Sequence, residues 1–196
     1  MWGFDPPILG FVSPQIVVIR YFSLCFLILL GSVLSAVAIA APSAEAVRMD
    51  VIPELDGKVL DDPAWRQPSL SGFWQQRPVE GTRSTQETEV FIGFTDTTLF
   101  VGIVAYDDDP SGIIVADSRR DASLENGDNV SFIIDSFMDQ QNGLVFGTNP
   151  AGIEYDAQVS RQASGSMMGS GGFNLNWDTN WRVATHIGDY GWSAEF

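Results

Sequence analysis

Two stretches of alternating side chains, residues 87–94 and 99–106, constrain the fold more than any other feature of this 196-residue chain. Val90, Ile92 and Phe94 fall on one face of the first stretch. A period of two suits a half-buried strand, and a 3.6-residue helix cannot keep it. The residues between, Thr95-Asp96-Thr97-Thr98, supply a turn, so the pair reads as a β-hairpin. Further strands are predicted over 129–135, 144–148, 152–159, 181–187 and 192–196, each bounded by Gly, Pro, Asn or Asp. Short strands at roughly ten-residue spacing, with no sustained helical period after residue 44, point to an all-β sandwich or barrel. The final run, Gly191-Trp192-Ser193-Ala194-Glu195-Phe196, reads as a strand in mid-course without a closing turn. A strand cut there leaves unpaired backbone groups or a short edge, so the expectation is a sandwich truncated at its last strand.

Before the strands lies a different kind of segment. Residues 21–44 carry no charge, follow Arg20, and pass through Leu24-Cys25-Phe26-Leu27-Ile28-Leu29-Leu30 to the small residues Ala36, Ala38 and Ala40. A basic start, an apolar centre and small residues at A-x-A spacing are what a secretory leader needs. About twenty apolar residues also suffice to span a bilayer, so an uncleaved membrane anchor is the alternative. The expected organisation is a leader over 1–41, containing a signal helix, and a β-sandwich domain over 50–196. Cleavage after Ala40 leaves 9 basic and 24 acidic residues, so the formal charge of −15 belongs entirely to the exported part. Such a field repels phosphate backbones, and nucleic acid is not an expected partner. The single Cys and single His exclude a disulfide framework and a Cys- or His-rich zinc site, leaving oxygen ligands for any metal.

Several motifs of the exported part occur together and in order. Leu55-Asp56-Gly57-Lys58-Val59-Leu60-Asp61-Asp62-Pro63-Ala64-Trp65 is followed by Phe73 with Gln75, Pro78-Val79-Glu80-Gly81, Thr88-Glu89-Val90 and Leu99-Phe100-Val101-Gly102. Tyr106-Asp107-Asp108-Asp109-Pro110, Arg119-Arg120-Asp121, Asp128 with Asp135, and Thr148-Asn149-Pro150-Ala151-Gly152 come next. Trp177-Asp178-Thr179-Asn180-Trp181 and Gly191-Trp192-Ser193-Ala194-Glu195 close the series. From Ile52 to the end, this series resembles the family-nine carbohydrate-binding modules and their DOMON-like relatives. The resemblance implies a jelly-roll-like antiparallel β-sandwich that binds polysaccharide or oligosaccharide, in some members as part of a glycoside hydrolase, with calcium as a structural ion. It is nearest to modules that follow a signal peptide and precede an outer-membrane β-barrel in bacterial envelope proteins. That implies an exported protein of the periplasm, outer membrane or cell surface, with a downstream barrel or hydrolase domain as the possible partner. In that subgroup the Trp-Ser-Ala-Glu strand continues into an Ile-Pro-Phe-type segment, which this chain lacks. The alternative function is a structural domain of such a barrel protein, without sugar binding.

Sugars present apolar C–H faces to aromatic rings and hydroxyl groups to carboxylates and amides. Trp74 and Gln75, in a polar segment, and Trp177, Asp178 and Trp181, after the Gly/Ser-rich stretch 163–172, are the candidate sugar-binding residues; for each Trp the alternative is packing. Trp65 and Trp192 are expected in the core. Asp107, Asp109, Asp128 and Asp135 are the candidate calcium ligands, because hard Ca²⁺ takes six to eight oxygens from acidic loops; a solvated acidic turn is the alternative. Their spacing does not match the twelve-residue EF-hand loop. No catalytic residue is assigned, since G-x-S-x-G, Walker and H-E-x-x-H motifs are all missing. Some DOMON relatives hold haem between Met and His. Met167 or Met168 with His186 would be the counterparts, but the resemblance points elsewhere and no haem is expected.

Overall fold

The hairpin forms where the alternation places it. Strands β2 (Thr88–Phe94) and β3 (Leu99–Tyr106) pair antiparallel, with Val90 opposite Ile103 and Ile92 opposite Val101. Thr95 closes the turn twice, its N–H donating to the Thr98 carbonyl (2.9 Å) and its hydroxyl accepting from the Thr98 N–H (3.2 Å). The computed structural model describes residues 43–160 and 172–196. The expected leader over 1–41, together with Met167, Met168 and nearly all of the Gly/Ser-rich stretch, lies outside the described residues.

Seven further strands complete the described part. They are β1 (Val47–Arg48), β4 (Val130–Ile134), β5 (Asn142–Thr148), β6 (Tyr155–Ser160), β7 (Phe173–Asn174), β8 (Ala184–Gly188) and β9 (Gly191–Glu195). One sheet runs β1-β2-β3-β9-β8 and the other β4-β5-β6-β7. Every pairing is antiparallel except β1 with β2. The described residues contain no α-helix, only two 3-10 turns at Pro63–Trp65 and Pro110–Gly112. The fold is an all-β sandwich, as the strand spacing predicts.

The last strand departs from expectation in one respect. Unpaired backbone groups or a short edge were the sequence reading, yet β9 lies inside its sheet between β3 and β8. Phe196 also exchanges backbone hydrogen bonds with Val101 at 2.8 and 3.1 Å. Long-range pairing decided this, because β9 folds back on β8 through a tight turn and meets β3 on its other side.

Residues 56–65 cover part of one face of the five-stranded sheet. Val59 and Trp65 pack on Phe91 and Val104 there. Burial of an indole of roughly 200 Å² contributes on the order of 5 kcal/mol at about 25 cal/mol per Å². The same segment is tied to β9 by polar contacts. Glu195 is fully buried, and its carboxylate accepts from Trp65 Nε1 (2.7 Å), Gly57 N (2.7 Å) and Asp56 N (3.0 Å). Gly57 has φ +84, and a Cβ there would stand 2.4 Å from the Thr185 carbonyl carbon. Only glycine lets the chain reach β8 so closely.

On the opposite face of β9, Phe196 meets the second sheet. Its ring is edge-on to Phe132 of β4 at 5.1 Å, and Phe132 lies across from Phe146 on β5. Trp181 stacks on Phe196, and both Trp177 and Trp181 set their edges against Phe146. This aromatic group joins the two sheets.

Candidate functional site

Leu70 exchanges backbone hydrogen bonds with Val90 of β2, and the residues after it, to Ser84, fold back on themselves. The turn uses Pro78-Val79-Glu80-Gly81, with Thr82 Oγ1 donating to the Val79 carbonyl at 2.9 Å. Gln75 holds the two arms together. Its N–H donates to Thr82 O (2.7 Å), its carbonyl accepts from Gly81 N (3.0 Å), and its side-chain Nε2 donates to Arg83 O (3.1 Å). Trp74 is thereby bridged to Arg83, whose guanidinium carbon stands 5.0 Å from the indole centroid. A cation against an aromatic face at this separation is attracted by the ring quadrupole, by about 0.5–1 kcal/mol at an exposed site. Gly72, at φ +75, leaves room for that guanidinium, since a Cβ there would lie 3.3 Å from Arg83 Nη1.

The result is a tryptophan that is 55% exposed and held in place. Arg83 covers one face of the ring and more than half of the residue remains open to solvent. A large exposed indole on a hydrogen-bonded loop is the kind of surface that a ligand with an apolar face covers. Gln75 also braces the loop, spending one of the two N–H donors of its side-chain amide on the Arg83 carbonyl. Sequence reading missed Arg83; the turn at Pro78–Gly81 is the signal that folds position 83 back onto position 74.

The second candidate group lies at another corner. Arg120 joins three segments: its guanidinium donates to Asp156 (2.9 Å), to Asp178 (2.7 Å) and to Glu154. Asp156 is buried, and its other oxygen accepts from Thr179 N at 3.0 Å. The loop bearing Trp177, Asp178 and Trp181 is thus pinned to β6. Trp181 has Phe196 stacked on one face at an interplanar angle of 8°, so it packs and does not offer that face to a sugar. Trp177 is half-buried, edge-on to Phe146 at 6.1 Å. Among the described residues no aromatic contact joins Trp74 to Trp177 or Trp181, so the five predicted sugar-binding residues divide into two groups. Arg120, Glu154 and Asp156 are the residues that organise the second, and sequence reading gave them no role.

The four candidate calcium ligands are not brought together. Asp107 Oδ1 accepts from Asp109 N (2.8 Å), and Asp109 Oδ1 accepts from Ser111 Oγ (2.5 Å). Asp128 Oδ2 accepts from Ile114 N (2.7 Å). Asp135 accepts from Asp139 N (3.2 Å) and Gln140 N (2.7 Å), capping the β4–β5 turn. Asp128 and Asp135 flank β4, and at about 3.3 Å per residue they are roughly 20 Å apart. No single ion binds both, whose carboxylates instead cap local backbone. Among the described residues no three Asp, Glu, His or Cys side chains converge as a metal site requires. The arrangement does not fit one calcium site built from these residues.

Electrostatics separate the buried carboxylate from the exposed ones. Burial pushes Glu195 above its ordinary pKa, against the lowering effect of its three donors. Asp117 is held down at about 2 by the side chain and backbone of Arg119. Tyr106 is pushed up to about 12 by burial and by donating to Glu89 at 2.8 Å. None of these groups lies against Trp74. A shallow depression of about 360 Å³ includes Ile133, Asp135, Asn142 and Val159, and none of the tryptophans.

Compared with protein-family models, with curated proteins and with solved structures, the chain matches none.

Proposed function

We propose that the exported part of the chain is a non-catalytic carbohydrate-binding module of the bacterial envelope, holding a glycan against the open face of Trp74. The observation that carries this reading is the braced, exposed indole: 55% open, backed by Arg83, on a loop closed by Gln75. A ring fixed before binding loses little side-chain entropy when a sugar stacks on it, which favours affinity. Trp177, half-buried beside the exposed Asp178, is a secondary contact. The family resemblance of the sequence supports the same substrate class.

Co-sedimentation with insoluble cellulose, xylan and chitin, and migration through gels containing soluble polysaccharides, test the reading. Retention by at least one glycan is expected. Free migration and full recovery in every case overturn it and leave the domain as a structural part of an envelope protein.

A further inference from the structure

Cations are scarce in this chain, and most of those described are neutralised. Arg48, Lys58, Arg119, Arg120 and Arg182 each pair with an Asp or Glu. Arg66, Arg77 and Arg83 do not: all are exposed, and among the described residues no carboxylate lies within ion-pair distance of any of them. These three fall together in residues 66–86, where Glu80 is the only acid, so a stretch of positive charge surrounds Trp74 in a chain of formal charge −15. Arg83 stands against one face of the indole, 5.0 Å from its centroid. Its backbone oxygen accepts from Gln75, but among the described residues no oxygen accepts from its guanidinium. A guanidinium has five N–H donors and no acceptor, so this one is available to an anion.

Resting on the reading that Trp74 binds a glycan, we propose that the glycan is acidic: a neutral backbone with uronic acid branches, one backbone sugar covering the open face of Trp74 and a branch carboxylate pairing with Arg83. The carboxylate follows from the donor. A guanidinium fork matches a planar carboxylate bidentately, and such charge-assisted bonds are roughly twice as strong as neutral ones.

The branch follows from the geometry. Sugar and guanidinium lie on opposite faces of the indole, and with a stacked sugar about 4 Å from the ring they are roughly 7–9 Å apart. The exocyclic group of the stacked sugar falls short of that distance. A branch one residue longer passes the rim of the ring and reaches Arg83. The wide spacing of the acids follows from the net charge. At physiological salt, charges more than about 8 Å away are largely screened, so a single carboxylate meets the local arginines. A continuous polyanion would extend over the acidic remainder and be repelled.

Titration calorimetry of the full chain at physiological salt, with glucuronoxylan and with the same xylan after its uronic acids are reduced to neutral sugars, tests the proposal. The wild type should bind the acidic form about tenfold or more tightly, with the gap narrowing as salt is raised. Arg83→Gln should close the gap, and Arg83→Lys, which keeps the charge without the fork, should retain part of it. Equal binding of the two xylans, binding of other glycans only, or a gap that Arg83→Gln leaves intact overturns the acidic branch while sugar binding at Trp74 stands. Binding of no glycan, neutral ones included, overturns the function proposed above and this inference with it.

Discussion

Trp65 Nε1 donates a 2.7 Å hydrogen bond to the carboxylate of Glu195, tying residues 130 positions apart in the sequence. Both groups are buried, so the bond joins the segment around Trp65 to β9, an interior strand of the five-stranded sheet. Trp65→Phe keeps most of the packing but leaves Glu195 one donor short. The expected loss is about 1–3 kcal/mol, measured by urea denaturation. Trp65→Ala adds a cavity and should cost about 3–5 kcal/mol. An unchanged midpoint for Trp65→Phe would contradict the role given to the bond.

Glu195 also sets a pH dependence. Its folded pKa is raised above the ordinary 4.5, mainly by burial. The stability linked to a raised carboxyl is fully present below the unfolded value and is lost as pH rises through the folded one. Asp117 works in the opposite sense, losing its contribution only as pH falls from 3.8 through about 2. A thermal-melting series upward from pH 4.5 therefore isolates Glu195. Glu195→Gln should remove the part of the decline seen just above that pH, and an identical pH profile in both proteins would refute the assignment.

Arg120 and Asp178 separate packing from surface charge. Arg120→Met strips the buried Asp156 of its cationic partner, leaving only Thr179 N on that carboxylate. Because the arginine is itself 41% exposed, the cost should be at or below about 3 kcal/mol. Asp178 is 74% exposed, so Asp178→Asn should change stability by less than about 0.5 kcal/mol. Equal effects in chemical denaturation would mean that the corner is not organised by Arg120.

Asp128 and Asp135 provide a test against a shared ion. They cap separate backbone turns at opposite ends of β4. In a double-mutant cycle with alanine, with calcium present, their effects should add within about 0.5 kcal/mol. A larger coupling that disappears with a chelator would show one ion bridging them.

The strands were legible where side chains alternate. Residues 87–106 announced β2 and β3, and the predicted segments 129–135, 144–148 and 152–159 each contain most of a strand. Trp65 and Trp192 sit in the core, as expected of residues in signatures that pack an element end. Strands β1 and β7 were not legible, because two residues display no period. The interior position of β9 was hidden as well, since alternation identifies a strand but not its neighbours. For Trp74 the sequence identified an indole in a polar segment, but its bracing by Arg83 depends on how a turn closes. The separation of Asp128 from Asp135 was contained in the sequence, since a strand is predicted between them. Residue type alone does not distinguish a turn cap from an ion ligand.

The paired mobility of wild type and Trp74→Ala in affinity electrophoresis, over a panel of soluble polysaccharides, tests the proposed function most directly. Trp74 is a surface residue, so its loss should leave the melting temperature within the wild-type range. The wild type should be retarded by at least one polysaccharide. Trp74→Ala should run about as fast in that gel as in one without glycan, the loss of a stacking ring lowering affinity about tenfold or more. Equal retardation of both proteins, or none of either, would contradict sugar binding at Trp74.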